Sequence, residues 1–110
     1  VEDGTVTFVS GGIGRDSVER MVALAGRYNL KLVFATQGGS YLADVKVRID
    51  DTRGKKVLDT VSDGPWLLVR MAPGRYRIRA IFDATMVERW ATVPAGGRSD
   101  LILRRQAAVD

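Results

Sequence analysis

Three arginines at alternating positions have the residue type and spacing best suited to chemistry in this chain. Arg75, Arg77 and Arg79, called here the arginine stripe, alternate with Tyr76, Ile78 and Ala80. Because alternate side chains of a β-strand point to the same face, the three guanidinium groups are predicted to form a row. Such a row can bind carboxylate, phosphate or sulfate groups. Three basic residues from other strands could extend it: Lys46, Arg48 and Arg70.

The arginine stripe also fits the solvated face of an antiparallel sheet, where charged side chains limit edge-to-edge aggregation. We prefer this interpretation and keep as the alternative a polyanion-binding surface for acidic protein, lipopolysaccharide or nucleic acid. Nucleic acid is the least favoured of these, since Tyr76 is predicted to point inward and no exposed aromatic side chain interleaves with the arginines.

Composition excludes several kinds of active site. The chain has 110 residues, a formal net charge of +4, and neither histidine nor cysteine. Thiol nucleophiles, disulfides, histidine-based acid–base catalysis and zinc sites built on histidine or cysteine are therefore excluded. We predict a non-catalytic protein without a cofactor or a metal.

Two other groups of residues resemble binding sites. The glycine-rich segment 10–14 precedes a predicted helix, as phosphate-binding loops do, but it lacks the Lys-Ser/Thr pair of a P-loop and is predicted to be structural. Asp44, Asp50 and Asp51 could bind Ca²⁺, but their spacing fits no calcium loop, and solvated acids at a hairpin end are expected instead. The remaining polar candidates show no acid–base pairing pattern: Ser10, Ser40, Lys56, Asp59 and Asp63.

The pattern of the chain predicts a mainly β protein with one amphipathic helix near the N-terminus. Asp16 is expected to cap that helix, with Glu19 completing a capping box and Gly26 at its C-terminus. The N-terminal segment 4–9 is strand-like and could pair with a sheet or lie across it. Seven short strands follow at intervals of about ten residues, which is typical of a β-sandwich. They are expected at 30–34, 43–50, 56–61, 66–71, 75–82, 85–93 and 101–103, with turns that include 37–40 and 83–84.

The strand at 85–93 lacks a clean apolar face, because Arg89 and Trp90 do not fit either register. We expect it to be an edge strand or to carry a bulge. The predicted organisation is one structural domain: residues 1–29 as an N-terminal strand, loop and helix, residues 30–104 as the sandwich, and residues 105–110 as a tail.

The segment 64–78 resembles the signature of carboxypeptidase regulatory-like domains. It carries a glycine, an aromatic residue two positions later, spaced aliphatic residues and then Pro-Gly-x-Tyr. The residues that carry the resemblance are Gly64, Trp66, Pro73, Gly74 and Tyr76. The resemblance covers roughly residues 30–104 and implies a seven-stranded antiparallel transthyretin-like (immunoglobulin-like) sandwich. Pro73 and Gly74 are expected to form a turn, and the Tyr76 hydroxyl is expected to bond to the backbone near a sandwich corner.

Such domains are usually accessory or interaction modules outside the bacterial cytoplasm. The resemblance therefore implies a periplasmic or secreted binding or structural module with an unknown protein or envelope component as partner; a cytoplasmic location is the alternative. The transthyretin-like enzymes that hydrolyse hydroxyisourate rely on histidines, which this chain lacks. No apolar run is long enough to span a membrane. The chain is expected to be a monomer or a weak homodimer formed by edge-strand pairing.

Overall fold

A computed structural model describes residues 6–36, 42–82 and 84–105, with the side chain of Arg105 left out. Within these ranges the protein is mainly β, with eight strands, one α-helix and one short 3₁₀ turn. The predicted turn at 37–40 and most of the tail at 105–110 lie outside the described residues. The elements are β1 Thr7–Gly11, α1 Arg15–Leu24, the 3₁₀ turn Ala25–Arg27, β2 Leu30–Thr36, β3 Val45–Asp50, β4 Lys56–Ser62, β5 Trp66–Arg70, β6 Gly74–Phe82, β7 Thr85–Val93 and β8 Ser99–Arg105.

The strands form two four-stranded sheets. The first sheet has the order β1-β5-β2-β8 and the second has the order β4-β3-β6-β7. Neighbouring strands are antiparallel except β2 and β8, which are parallel. Two details of the predicted fold are therefore wrong: the described chain has eight strands rather than seven, and one strand pair is parallel.

The eighth strand is the N-terminal segment, whose pairing the sequence pattern left open. β1 pairs antiparallel with β5, so that Phe8 lies opposite Val69 and Ser10 opposite Leu67. The strand at 85–93 is β7, which lies at the edge of the second sheet as predicted, and it pairs with β6 without interruption.

Side chains from both sheets form one hydrophobic cluster. Leu30, Leu32 and Phe34 of β2 are fully buried there, as the alternation in the sequence predicts. The Phe34 ring meets the Phe82 ring of the second sheet edge to face, with the ring centroids 6.1 Å apart. This cluster is the main core of the protein.

A second, smaller cluster lies under the helix. Met21 and Ala25 pack against Leu68, which points away from the main core, and Trp66 flanks them. The Nζ atom of Lys31 lies 3.9 Å from the centre of the Trp66 ring and closes this cluster on one side. The helix thus covers the part of the outer face of the first sheet around β5, whereas Ile102 on β8 is 54% exposed.

The predicted helix exists, but its caps are wrong. α1 begins after Gly14, which has a φ of 85°, and Asp16 lies in its first turn without making a capping hydrogen bond. A positive φ is accessible to glycine without steric cost, so Gly14 takes the N-cap position. Ala25 is the C-cap, and Gly26 continues into the 3₁₀ turn.

Gly64 and Tyr76, two residues of the sequence signature, have clear structural roles. A Cβ on Gly64 would lie 2.3 Å from the carbonyl oxygen of Gly11, so the approach of β1 requires a glycine. The Tyr76 hydroxyl donates a hydrogen bond to the Ala72 carbonyl at 2.7 Å, which confirms the expected backbone partner. Pro73 lies in the exposed bend before β6, and Gly74, with a φ of 156°, begins that strand.

Candidate interaction face on the second sheet

The outer face of the second sheet carries most of the basic residues identified in the sequence. It consists of the side chains that point away from the main core on β4, β3, β6 and β7. Within the described residues no helix packs on this face. Among the described residues, its charged members are six basic and three acidic side chains, an excess of three positive charges: Lys46, Arg48, Lys56, Arg75, Arg77, Arg79, Asp50, Asp59 and Glu88.

Strand register brings five of the six predicted basic residues onto this face. β3 pairs with β6, so that Arg48 lies opposite Arg79 and Lys46 opposite Ile81. Arg70 does not join them. It lies at the end of β5 in the first sheet, where its Nη1 atom donates to the carbonyl oxygen of Arg27 at 3.3 Å.

Asp50 is the organising residue of the face. Its side chain has the same orientation as those of Lys46 and Arg48, yet only 1% of it is exposed. One carboxylate oxygen accepts a hydrogen bond from Arg48 Nε at 2.9 Å. The other accepts one from Arg77 Nη2 at 3.3 Å and lies 3.6 Å from Arg79 Nη2. Three guanidinium groups thus surround one buried carboxylate.

This arrangement corrects the expectation that Asp50 is a solvated acid at a hairpin end. The partly exposed guanidinium groups on β3 and β6 exclude water from the carboxylate. Asp51, the next residue, stabilises the turn after β3, because its carboxylate accepts hydrogen bonds from the backbone nitrogens of Arg53 and Lys55, both at 2.9 Å. Asp50 therefore holds arginine side chains on the face of the sheet, whereas Asp51 stabilises the turn that follows β3.

The pKa of Asp50 reflects these opposing influences. Burial favours the neutral form, but hydrogen bonds from Arg48 and Arg77 and the charges of Arg48 and Arg79 favour the ionised form more strongly. The pKa of Asp50 therefore lies below its usual range, and the carboxylate is ionised at neutral pH.

The central arginines are fixed to different degrees. Arg79 also lies beside Glu88, with its Nε atom 3.4 Å from the carboxylate. The Nε atoms of Arg77 and Arg79 are buried and make no hydrogen bond within the described part of the chain. By contrast, Lys46 and Arg75 are exposed, and among the described residues neither forms an ion pair with an acidic side chain. Within the described part of this face, these two cations are therefore available to a partner.

Large apolar side chains are exposed on the same face. Trp90 lies opposite Arg77 and is 43% exposed, and the Arg75 guanidinium lies 5.0 Å from the centre of its ring. Ile81 and Met86 face each other across β6 and β7, and Val61 lies on β4 beyond Lys46. The expectation that no exposed aromatic side chain lies among the arginines, which was based on Tyr76, is therefore wrong, because Trp90 is such a residue.

The sequence contained signals for both features that were missed. Asp50 has the same strand parity as Arg48, and Trp90 has the same parity as Met86 and Glu88. Their neighbours, however, depend on which residues of β6 lie opposite β3 and β7. That register is not encoded in the alternation of any one strand.

Of the other polar candidates, Lys56 and Asp59 belong to the outer face of the second sheet, and Ser10 and Asp63 lie elsewhere. The Ser10 hydroxyl donates a hydrogen bond to Asp63 at 2.6 Å, which links β1 to the turn between β4 and β5. Lys56 lies 3.9 Å from Asp59 along β4. The loop before α1 is tied to the helix by Ser17, whose hydroxyl accepts a hydrogen bond from the Gly12 nitrogen at 2.8 Å. Ser40 lies outside the described residues.

No protein-family model and no curated protein sequence matches the chain. In the described ranges no helix has the length and apolar character needed to cross a membrane.

Proposed function

We propose that the protein is a non-catalytic binding module and that the outer face of the second sheet is its binding surface. One observation is the main support for this proposal. The face combines free cations with exposed apolar side chains, and within the described residues the protein's own helix packs on the first sheet instead. Exposed apolar groups beside arginine and tryptophan are typical of protein interfaces.

The proposed fold family is the carboxypeptidase regulatory-like, transthyretin-like sandwich. Three features support it: two sheets with a shared hydrophobic cluster, the Pro-Gly-x-Tyr sequence, and the hydrogen bond from Tyr76 to Ala72. The proposed location, the periplasm or the exterior of a bacterial cell, rests on the same resemblance. Domains of this kind commonly serve as interaction modules, which agrees with a binding function.

The absence of histidine and cysteine from the sequence supports a non-catalytic function. The Ser10–Asp63 pair brings a hydroxyl next to a carboxylate without an imidazole, so the usual route to an activated serine is missing. Its position between β1 and a turn fits a structural link better.

Polyanion binding is the second candidate function. The three excess positive charges and the Trp90 ring beside Arg75 favour it. The Asp50 carboxylate disfavours it, because it already neutralises part of the charge of the three nearest arginines. A protein partner uses the apolar side chains as well as the cations, and we therefore prefer it.

Photo-crosslinking tests the proposal. A photoreactive residue replaces Met86 on the proposed surface or, as a control, Val22 on the helix; the two side chains are 56% and 59% exposed. We expect one specific protein to be crosslinked from position 86 and not from position 22 in extracts of the native cells. That protein is then purified, and its affinity for the full chain is measured by calorimetry.

Met86→Ser is expected to weaken this binding by about ten-fold, through loss of an apolar contact in the interface without a change of charge. Val22→Ser is expected to leave the affinity unchanged. Equal weakening by both variants, or binding that only Val22→Ser weakens, would refute the proposed surface. Strong retention on heparin that Met86→Ser leaves intact would favour the polyanion function.

A further inference from the structure

The exposed apolar residues lie at two ends of the proposed binding surface. At one end, Ile81 and Met86 are directly paired across β6 and β7 and are 38% and 56% exposed. At the other end lies Trp90, four residues further along β7 than Met86. With a rise of about 3.3 Å per residue, the two ends are roughly 13 Å apart.

A free cation flanks each apolar end. Lys46 lies opposite Ile81, and the Arg75 guanidinium lies over the Trp90 ring. A partner group that packs against either apolar end therefore meets a positive charge at its side. A partner that carries carboxylates next to apolar side chains can pack on the apolar residues and pair with the flanking cation at the same time.

Between the two ends, the arginines are held in place before any partner arrives. The buried Asp50 carboxylate contacts Arg48, Arg77 and Arg79, so their guanidinium groups lose less conformational entropy on binding than free arginines do. One carboxylate cannot neutralise three guanidinium groups, and the central region remains positive even with Glu88 beside Arg79.

This charge distribution argues against a second copy of the chain as the occupant of the face. Two copies placed face to face would oppose two surfaces that each carry three excess positive charges, which is unfavourable. A simple polyanion would leave Ile81 and Met86 without apolar partners. The complementary surface is both acidic and apolar.

We infer that the outer face of the second sheet binds an extended acidic protein segment whose apolar side chains are spaced about four residues apart. One apolar side chain packs on Ile81 and Met86, and the next packs on Trp90. Acidic residues between and beside them face Lys46, Arg75 and the central arginines. This inference rests on the proposed binding function and specifies the chemistry of the partner.

A synthetic peptide with leucine at every fourth position and glutamate between provides the probe. The full chain is labelled with ¹⁵N at tryptophan, which gives one indole N–H signal for Trp90 and one for Trp66. Trp66 lies under the helix on the first sheet and is an internal control. We expect the peptide to shift the Trp90 signal in a saturable manner and to leave the Trp66 signal in place.

Matched peptides separate the two kinds of contact. Replacing every glutamate by glutamine is expected to abolish the Trp90 shift, and replacing every leucine by serine is expected to weaken binding about ten-fold. In the protein, Arg75→Gln is expected to weaken binding about three-fold. Arg20→Gln, which removes one exposed positive charge from the helix, is the control and is expected to have no effect.

Three results would overturn the inference. Equal binding of the serine peptide and the leucine peptide would show a general polyanion site, as would a stronger response to heparin. A Trp90 shift that depends only on protein concentration would show that a second copy occupies the face. If no peptide moves the Trp90 signal while the protein crosslinked at position 86 still binds, the acidic segment is wrong and the proposed function stands.

Discussion

The two sheets differ in what covers their outer faces. On the first sheet, the protein's own helix packs against Leu68 and the partly buried Trp66, and Met21 of the helix is fully buried. On the second sheet, Trp90 and Met86 stay exposed beside a set of arginines. The part of the first sheet under the helix buries its large side chains, whereas the outer face of the second sheet leaves comparable side chains exposed.

The polar groups buried in the two sheets differ in a parallel way. In the first sheet, the neutral Asn29 side chain donates to the Met71 carbonyl at 2.7 Å and accepts from the Met71 nitrogen at 3.0 Å. In the second sheet, Ser62 is buried at the end of β4, and the buried charged group is the ionised Asp50, surrounded by arginines. The buried contacts of Asn29 therefore do not depend on pH, whereas those of Asp50 require an ionised carboxylate.

The largest effect on stability is expected from Gly64→Ala, in the turn before β5 and next to β1. The added Cβ would meet the Gly11 carbonyl oxygen at 2.3 Å, and a backbone atom cannot move aside as a flexible side chain can. We expect a loss of more than about 3 kcal/mol in the free energy of unfolding, or separation of β1 from β5. Urea denaturation followed by circular dichroism measures the loss.

Gly26→Ala is the control, because a Cβ at that position meets nothing within 4 Å. We expect it to be neutral or slightly stabilising. If Gly64→Ala were as well tolerated as Gly26→Ala, the close packing of Gly11 of β1 against Gly64 would be refuted.

Replacing a methionine by alanine at the outer face of each sheet is expected to give the next largest difference in the free energy of unfolding. Met21→Ala removes a fully buried side chain under the helix and is expected to cost about 3 kcal/mol. Met86→Ala removes a side chain that is 56% exposed and is expected to cost about 0.5 kcal/mol or less. Similar losses for the two variants, measured by thermal and urea unfolding, would contradict this difference between the two outer faces.

Asp50→Asn tests the outer face of the second sheet itself. The amide keeps the size of the side chain but removes the charge that the three arginines surround. We expect a loss of about 2 kcal/mol at pH 7, below the usual value for a buried ion pair because the arginines are partly exposed and screened. Asp59→Asn, at an exposed position on the same face, is the control and is expected to be nearly neutral. Equal effects of the two variants would show that Asp50 does not organise the arginines.

The smallest predicted effect is the pH dependence of the stability lost in Asp50→Asn. Because the pKa of Asp50 is lowered in the folded state, its contribution is fully present above the pKa of the unfolded chain, about 3.9. It is lost as the pH falls through the lower folded value. We therefore expect the difference between wild type and Asp50→Asn to be constant from pH 7 to about pH 5 and to shrink below about pH 4.

Asn29→Ala provides the comparison from the first sheet. The loss caused by this variant is expected to stay constant over the same pH range, because Asn29 does not titrate. Equilibrium unfolding at a series of pH values measures both differences. A constant difference for Asp50→Asn down to pH 3 would mean that the carboxylate is not stabilised by its arginine neighbours.

The elements of the fold follow closely from local sequence patterns. Alternating apolar residues at Leu30, Leu32 and Phe34 identify β2 and its core face, and the break at Ser62–Gly64 separates β4 from β5. The caps of α1 were less predictable. Gly14 takes the N-cap position through its positive φ, whereas the sequence offered Asp16 as a better-known capping residue.

The candidate site was predictable only in part. The shared direction of Arg75, Arg77 and Arg79 follows from strand alternation alone. Arg70 has a similar pattern but belongs to the other sheet, and a sequence pattern does not specify which sheet a strand joins. The cluster around Asp50 likewise depends on the pairing of β3 with β6.

The sequence by itself determined a mainly β chain with one helix, without histidine or cysteine and with an arginine stripe on one strand. Those conclusions depend on composition and on contacts between residues close in the chain. Only the tertiary structure decided that the helix covers the first sheet, that Asp50 is buried among three arginines, and that Trp90 lies beside Arg75. These features join residues on different strands, and their contacts arise only when the strands pair in one register.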